Sequence, residues 1–154
     1  MSIGWGNSGG TSLASDNNLV DISQNGGSNG AHVYVDGSRN VGNVVQLGGA
    51  GNSLQLHING DDNNSAASFT SGSDAASVSG LTVGLFTQNG AGNLFNVAVV
   101  GNSNQLATLQ SGNTNSITGA VNGSFNQVAV SQSGNGNYSF SSQTGSFNNI
   151  GVTQ

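Results

Sequence analysis

The sequence predicts an all-β fold, a β-solenoid of about six two-stranded turns of 22 residues with cross-β stacking. Three observations predict it. Asn recurs about every eleven residues, Gly stands eight residues after nearly every such Asn, and the residues between them alternate between apolar and polar. Alternation with period two indicates a strand with one buried face. A fixed repeat of this length indicates stacked copies of one strand-turn-strand-turn unit.

The composition favours a repeat structure and excludes several other classes. Of 154 residues, 26 are Gly, 5 % are charged, and none is Pro or Cys. A polar, uncharged chain rich in Asn, Gln, Ser and Gly is either low-complexity disorder or a stacked β-structure, and strict periodicity favours the second. A net charge of −5 with a single Lys or Arg residue, Arg39, argues against nucleic-acid binding. No apolar run is long enough to predict a transmembrane helix.

Each Asn begins an arc, which is half of a 22-residue turn. The spacing is eleven except for two steps of twelve and one gap, where Thr82 takes the place of Asn because Gln88 and Gly90 follow at the expected distances. In a stack, equivalent Asn side chains form a column whose amides bond from one rung to the next. The predicted Asn ladder comprises Asn18, Asn29, Asn40, Asn52, Asn64, Asn93, Asn104, Asn115, Asn126, Asn137 and Asn148.

The sixth residue after the Asn mostly alternates between Gln and an aliphatic residue, which makes the true repeat 22 residues. Gln143 breaks this alternation and makes the last turn more polar. An unpaired buried amide costs about 1–3 kcal/mol, so these side chains need partners on neighbouring rungs. The predicted Gln ladder comprises Gln24, Gln46, Gln88, Gln110, Gln132, Gln143 and Gln154.

Gly at the eighth position predicts a corner where the chain turns into the return strand with positive φ. Turn-forming clusters such as "SGNGN" follow the strands at these points. The predicted corner glycines are Gly26, Gly37, Gly48, Gly60, Gly72, Gly90, Gly101, Gly112, Gly123, Gly134 and Gly145.

The pattern divides the chain into two parts. Residues 1–17 are rich in Gly, Ser and Asn and are predicted to be a flexible N-terminal segment, and residues 18–154 are predicted to form the solenoid. Within it, residues 71–81 are too short for an arc and predict an irregular or bulged corner. The inward apolar residues are too few to offset the entropy of ordering the chain by themselves, which predicts a monomer that gains stability by stacking on another copy.

Residues 126–132 ("NQVAVSQ") with Gly134, and residues 104–112 ("NQLATLQSG"), resemble the curlin repeat of bacterial curli subunits. The resemblance extends over about residues 18–154. It implies a structural subunit that is secreted through an outer-membrane pore and polymerises at the cell surface into amyloid fibres of the biofilm matrix, serving adhesion and surface colonisation. The implied partners are further copies of the chain, a nucleating minor subunit, the secretion pore and periplasmic chaperones, with no membrane insertion.

The charges lie in the first half of the chain, and residues 75–154 have none. Like charges repel between stacked copies, so Asp residues can act as gatekeepers that slow premature assembly. The alternative is that they are solvated turn residues. The candidate gatekeepers are Asp21, Asp36, Asp61, Asp62 and Asp74.

Other functions find less support. His32 and His57 stand at outward positions, but no further His or Cys accompanies them as metal ligands, and no Ser has triad-like partners. We therefore predict no enzyme, no cofactor and no metal site. The alternative function is a non-polymerising β-solenoid that binds ice or carbohydrate. An ice-binding solenoid would show a column of Thr-x-Thr, which is missing, and a sugar-binding face would need clustered aromatic or carboxylate side chains.

Overall fold

The computed structural model describes residues 2–3 and 6–154, and only the backbone is considered for residues 2–3. Nearly all regular structure is β, as predicted. The strands are β1 (Ser2–Ile3), β2 (Ser8–Ala14), β3 (Leu19–Gln24), β4 (Gly30–Asp36), β5 (Val41–Leu47), β6 (Ser53–Asn59), β7 (Leu85–Asn89), β8 (Leu94–Val100), β9 (Gln105–Ser111), β10 (Ser116–Asn122), β11 (Gln127–Ser133), β12 (Tyr138–Thr144) and β13 (Asn149–Thr153), and the one described α-helix is α1 (Asp74–Ser77).

The strands form two parallel sheets that face each other. The odd sheet has the order β1-β3-β5-β7-β9-β11-β13 and the even sheet the order β2-β4-β6-β8-β10-β12. Each strand pairs in register with the strand one turn later, as Ser116 does with Tyr138. The chain therefore alternates between the sheets, and its stacked turns confirm the predicted β-solenoid.

The inward face of both sheets supplies one continuous core. Every second residue of a strand is buried, as the alternating exposure of β4 and β12 shows. Phe86 from the odd sheet packs on Phe95 from the even sheet, with ring centroids 5.3 Å apart. Val20 and Val152, at opposite ends of the core, are its partly buried members. At the two ends, therefore, side chains of the core itself remain partly uncovered.

The solenoid has about seven turns in the described residues, one more than predicted, because an extra turn precedes residue 18. Strand β2 pairs in register with β4, and β1 pairs with β3. The predicted start of the solenoid at residue 18 is therefore too late. This turn was hard to recognise because Gly9 and Thr11 stand where the next turn of the even sheet has Ala31 and Val33. The flexibility predicted for residues 1–17 stays a prediction, and residues 1, 4 and 5 lie outside the described residues.

An insertion, residues 64–83, interrupts the stack and replaces the predicted irregular corner at residues 71–81. Gln46 pairs with Gln88, 42 residues later instead of 22. Helix α1 in the insertion packs on the outer face of β11 and β13. Beneath it, Ala75 and Val78 bury Ala129. The insertion therefore covers one outer face of the odd sheet near its last strand.

Candidate assembly interface

A column of Gln side chains runs along the odd sheet. Each Nε2 donates to the Oε1 of the Gln one rung later, from Gln24 through Gln46, Gln88, Gln110 and Gln132 to Gln154, at 2.7–3.1 Å. The four middle members are almost fully buried. Because each side chain both donates and accepts, the column has a direction, and its two ends are chemically different.

The same Gln side chains also join the two sheets. The second Nε2 hydrogen of Gln110 bonds to the carbonyl oxygen of Leu94 on the preceding even strand, at 3.0 Å, and Gln132 contacts Ser116 in the same way at 3.1 Å. A buried amide that satisfies three of its hydrogen-bonding positions costs little to bury. The Gln column is therefore a link both along the stack and across it.

Two Asn columns line the corners, one for each sheet. In each, the Oδ1 of one Asn accepts the backbone N–H of the Asn one rung later, as Asn104 does for Asn126 at 3.0 Å. The Nδ2 of Asn126 donates to the same Oδ1 and to the carbonyl oxygen of Gly145. The Asn side chains thus bond the corner backbone of one rung to the corner backbone of the next.

The structure places most of the predicted ladder residues in these columns, but two of them lie elsewhere. The Asn column runs through Asn63, which bonds to Asn40 and Asn104, and not through Asn64. Asn64 instead bridges the carbonyl oxygen of Val41 and the N–H of Leu106, where the insertion leaves a strand incomplete.

Gln143 also lies outside the predicted Gln ladder. It belongs to the even sheet, opposite Val121, and its Nε2 donates to the Gln127 carbonyl oxygen. Sequence reasoning also missed Asn7, whose Oδ1 accepts from the N–H of Asn29. Its position eleven residues before Asn18 was the signal that could have found it.

The corner glycines have positive φ, from +78° to +136°. At ten of the eleven positions the chain turns out of a strand, but Gly72 lies in the insertion with open space around it. At Gly60, Gly90 and Gly101, an added Cβ would overlap the carbonyl oxygen of the corner glycine one rung later. Glycine is therefore required both by the backbone conformation and by the close approach of adjacent rungs.

The candidate gatekeepers lie at corners, on the first strands and in the insertion. Arg39 donates to both carboxylate oxygens of Asp62, at 2.6 and 2.7 Å, and this bonding lowers the pKa of Asp62. Asp61 accepts from the N–H of Ser38. Asp36 ends β4, Asp21 is exposed on β3, and Asp74 begins α1. Asp61 and Asp62 therefore fit the alternative of turn residues, Asp21 lies within a strand, and the gatekeeper role of all five stays a prediction.

The outer surface offers few groups that could hold a ligand. His57 packs edge to face on Tyr34, with centroids 4.6 Å apart, and no group of three His, Cys, Asp or Glu residues lies together in the described part of the chain. Phe125 and Phe147 stack at 5.0 Å beside a cleft of about 300 Å³ next to Thr70 of the insertion. Sequence analysis did not single out this pair.

Both ends of the solenoid leave hydrogen-bonding edges open. Strands β12 and β13 each pair with one strand, and so do β1 and β2. The Oδ1 atoms of Asn137 and Asn148 receive no hydrogen bond from any residue that the structure describes, although equivalent atoms in the middle of the stack do. A further rung would complete these bonds.

Comparison with protein families identifies the repeating unit. The model of the curlin associated repeat matches residues 16–48, which hold β3, β4 and β5. Residues 16–48 carry a curlin-associated repeat. The pairing seen between β3 and β5 of this repeat recurs through the stack to β13, so later turns repeat its geometry. No curated protein and no solved structure matches the chain.

A curlin-associated repeat with this fold fits a structural subunit of the curli kind. Within the residues that the structure describes, no helix is long and apolar enough to cross a membrane.

Proposed function

We propose that this chain is the structural subunit of an extracellular curli-like amyloid fibre, and that it polymerises by end-to-end stacking of solenoids. The observation that carries the proposal is the pair of open ends. Parallel strands, Asn columns and a Gln column continue along the whole stack and stop with their next partners missing. A second copy has the same repeat and can supply those partners.

The charge distribution supports the same proposal. The last rung consists of β12 and β13, which contain no charged side chain, and no charge follows Asp74 in the sequence. Unprotected neutral edge strands are templates for pairing with another chain. The uncharged strands of the last rung therefore favour pairing with a second copy over repulsion between copies.

The proposed setting of the fibre is that of curli subunits, whose repeat residues 16–48 match. As a curli-like subunit, the chain would be secreted through an outer-membrane pore with the help of periplasmic chaperones, and a minor subunit would nucleate it at the cell surface. The fibres would form part of a biofilm matrix and serve adhesion and surface colonisation. These partners and this location are part of the proposal.

The test uses freshly desalted monomer at micromolar concentration. We expect thioflavin fluorescence to rise after a lag, preformed seeds to shorten that lag, and the product to give a meridional reflection near about 4.7–4.8 Å. A β-rich monomer that stays soluble and does not respond to seeds would contradict the fibre function.

One observation favours the alternative, a solenoid that binds carbohydrate. Phe147 is 77 % exposed and stacks on Phe125 beside the cleft that Gln105 and Gln127 also line. Flat aromatic faces next to amides are able to hold a sugar ring. If the monomer ignores seeds, glycan-array binding by the protein, compared with a Phe125→Ala variant, becomes the next measurement.

A further inference from the structure

The first strand of the odd sheet occupies the edge that a preceding copy would need. Strand β1 pairs Ser2 with Ser23 and Ile3 with Gln24 on the open side of β3. Strand β2 is the corresponding first strand of the even sheet, and strands β2 to β13 make six complete two-stranded rungs. Strand β1 thus lies one rung ahead of the first complete rung, with no described partner in the even sheet.

The Gln column shows that β1 does not complete this edge. Gln24 is only 3 % exposed, yet its Oε1 receives no hydrogen bond from the described residues. In every other member of the column, Oε1 accepts from the Gln one rung earlier. In the pairing of β1 with β3, Ile3 is the residue opposite Gln24. A buried amide oxygen without a partner is costly, so this site lacks a group.

The missing group is present at the other end of the solenoid. Gln154 accepts from Gln132 and donates one Nε2 hydrogen to the Tyr138 carbonyl oxygen, while its second Nε2 hydrogen has no acceptor among the described residues. Interior members of the column use that hydrogen to bond the next Gln. The donor that Gln24 lacks is therefore the donor that Gln154 offers.

Neighbouring columns fit in the same register. When Gln154 of one copy lies opposite Gln24 of the next, Val152 meets Ile22 and Ile150 meets Val20, so the two open ends of the core close on each other. Asn148 then lies opposite Asn18. Elsewhere in the column the Asn one rung earlier accepts the backbone N–H, and Asn18 has no such Asn within its own chain. In the even sheet the fit is poorer, because Gln143 faces Leu13.

We propose that the N-terminal edge of the solenoid binds the C-terminal edge of a second copy with Gln154 opposite Gln24, and that this binding displaces β1. The inference rests on the proposed fibre function. It adds the register in which two copies pair, and it identifies β1 as a strand that competes with the second copy for the same edge. Strand β1 and the incoming β13 use the same hydrogen-bonding groups of Ser23 and Gln24, so they exclude each other.

The register is tested with engineered cysteines, since the chain has none of its own. In the proposed joint, Thr153 of one copy and Ser23 of the next lie on adjacent strands, about 4.8 Å apart, within the range for a disulfide. Within one molecule they are at opposite ends of the stack. Oxidised fibres of a T153C/S23C variant are therefore expected to yield covalent oligomers on a non-reducing denaturing gel.

The matched control is the T153C/S2C variant. It forms a disulfide between copies only if β1 stays paired with β3 and β13 of the other copy pairs with β1. We expect about tenfold less cross-linking than in T153C/S23C, because the displaced residue 2 no longer lies within disulfide range. Cross-linking through residue 2 instead of residue 23 would overturn the register and the displacement, while leaving the fibre function standing. Failure of the wild type to form seeded fibres would remove both.

The competition between β1 and the incoming β13 is tested by measuring the lag time of fibre formation. Two variants remove the pairing of β1 with β3: deletion of residues 2–5, and replacement of Ile3 by Pro within the full-length chain. We expect each to shorten the lag about fivefold, because the loss of roughly one net hydrogen bond changes a rate by about that factor. The Pro variant keeps the chain length unchanged and separates the effect of pairing from that of length. An unchanged or longer lag in both variants would overturn the role of β1 as a competitor.

Discussion

At the scale of the residue, each interior Gln of the column is fixed by three polar partners. Gln110 accepts from Gln88 and donates to Gln132 and to the Leu94 carbonyl oxygen. Removing the side chain therefore affects groups on three other strands. The stability of the stack depends on satisfied amides as well as on apolar burial.

We expect Gln110→Leu to destabilise the monomer by about 1–3 kcal/mol for each partner left without a bond. The free energy of unfolding from urea titration of fresh monomer measures this. The control is Gln55→Leu on the exposed outer face of β6, expected within about 0.5 kcal/mol of wild type. Equal effects of the two substitutions would mean that the column contributes nothing particular to stability.

The glycines allow a second comparison at the same scale. Gly101 and Gly136 both have positive φ, but a Cβ at Gly101 would overlap the Gly123 carbonyl oxygen, whereas Gly136 has open space. We expect Gly136→Ala to cost about 1–2 kcal/mol from backbone strain alone, and Gly101→Ala to cost clearly more. Thermal unfolding followed by circular dichroism distinguishes them, and similar melting temperatures would contradict the close-packing argument.

At the scale of the element, the sequence predicts the strands well and the insertion poorly. Strand positions follow from local alternation and the Asn-to-Gly spacing, which are visible in any single repeat. Asn63 and Asn64 are adjacent, and the regular spacing of eleven residues from Asn52 indicates Asn63, whereas Gly72, eight residues after Asn64, favoured Asn64. Once the insertion leaves the stack, the spacing rule stops applying, so Gly72 matched it without forming a corner of the stack.

The position of the insertion on the odd sheet depends on contacts between residues that are distant in sequence. Ala107, Ala129 and Gly151 pair in register and form a column of small outward residues. A Cβ on Gly151 would overlap the carbonyl oxygen of Asp74, so the insertion needs this column to be small. That requirement is not recognisable until strand register is known, since small outward residues also occur on exposed faces.

We expect Ala129→Leu to push the insertion off the odd sheet, because Ala129 is fully buried beneath Ala75 and Val78. Hydrogen exchange of peptides covering residues 69–81 should become faster while exchange of the strands is unchanged. Ala120→Leu, on the exposed outer face of β10, is the matched control. Unchanged protection in Ala129→Leu would mean that this contact does not hold the insertion.

At the scale of the whole molecule, a strand near the first end carries charge and the last strands do not, and Asp74 of the insertion lies beside β13. Asp21 lies on β3, while β12 and β13 have no charged residue. We expect replacing Asp21, Asp36, Asp61, Asp62 and Asp74 together by Asn to shorten the lag of fibre formation, since repulsion between copies falls. A lag equal to that of the wild type, at matched monomer concentration, would end the gatekeeper hypothesis.

The insertion also sets what a fibre of these chains would look like from outside. It occurs once in each copy, and each copy adds six complete rungs, so along a fibre the bumps would repeat about every 29 Å at a rung spacing of about 4.8 Å. They would stand on one side only, against the odd sheet, and keep neighbouring filaments from packing closely there. The bare even side is then where filaments would meet, giving bundles with a preferred face and a low-angle axial repeat in electron micrographs.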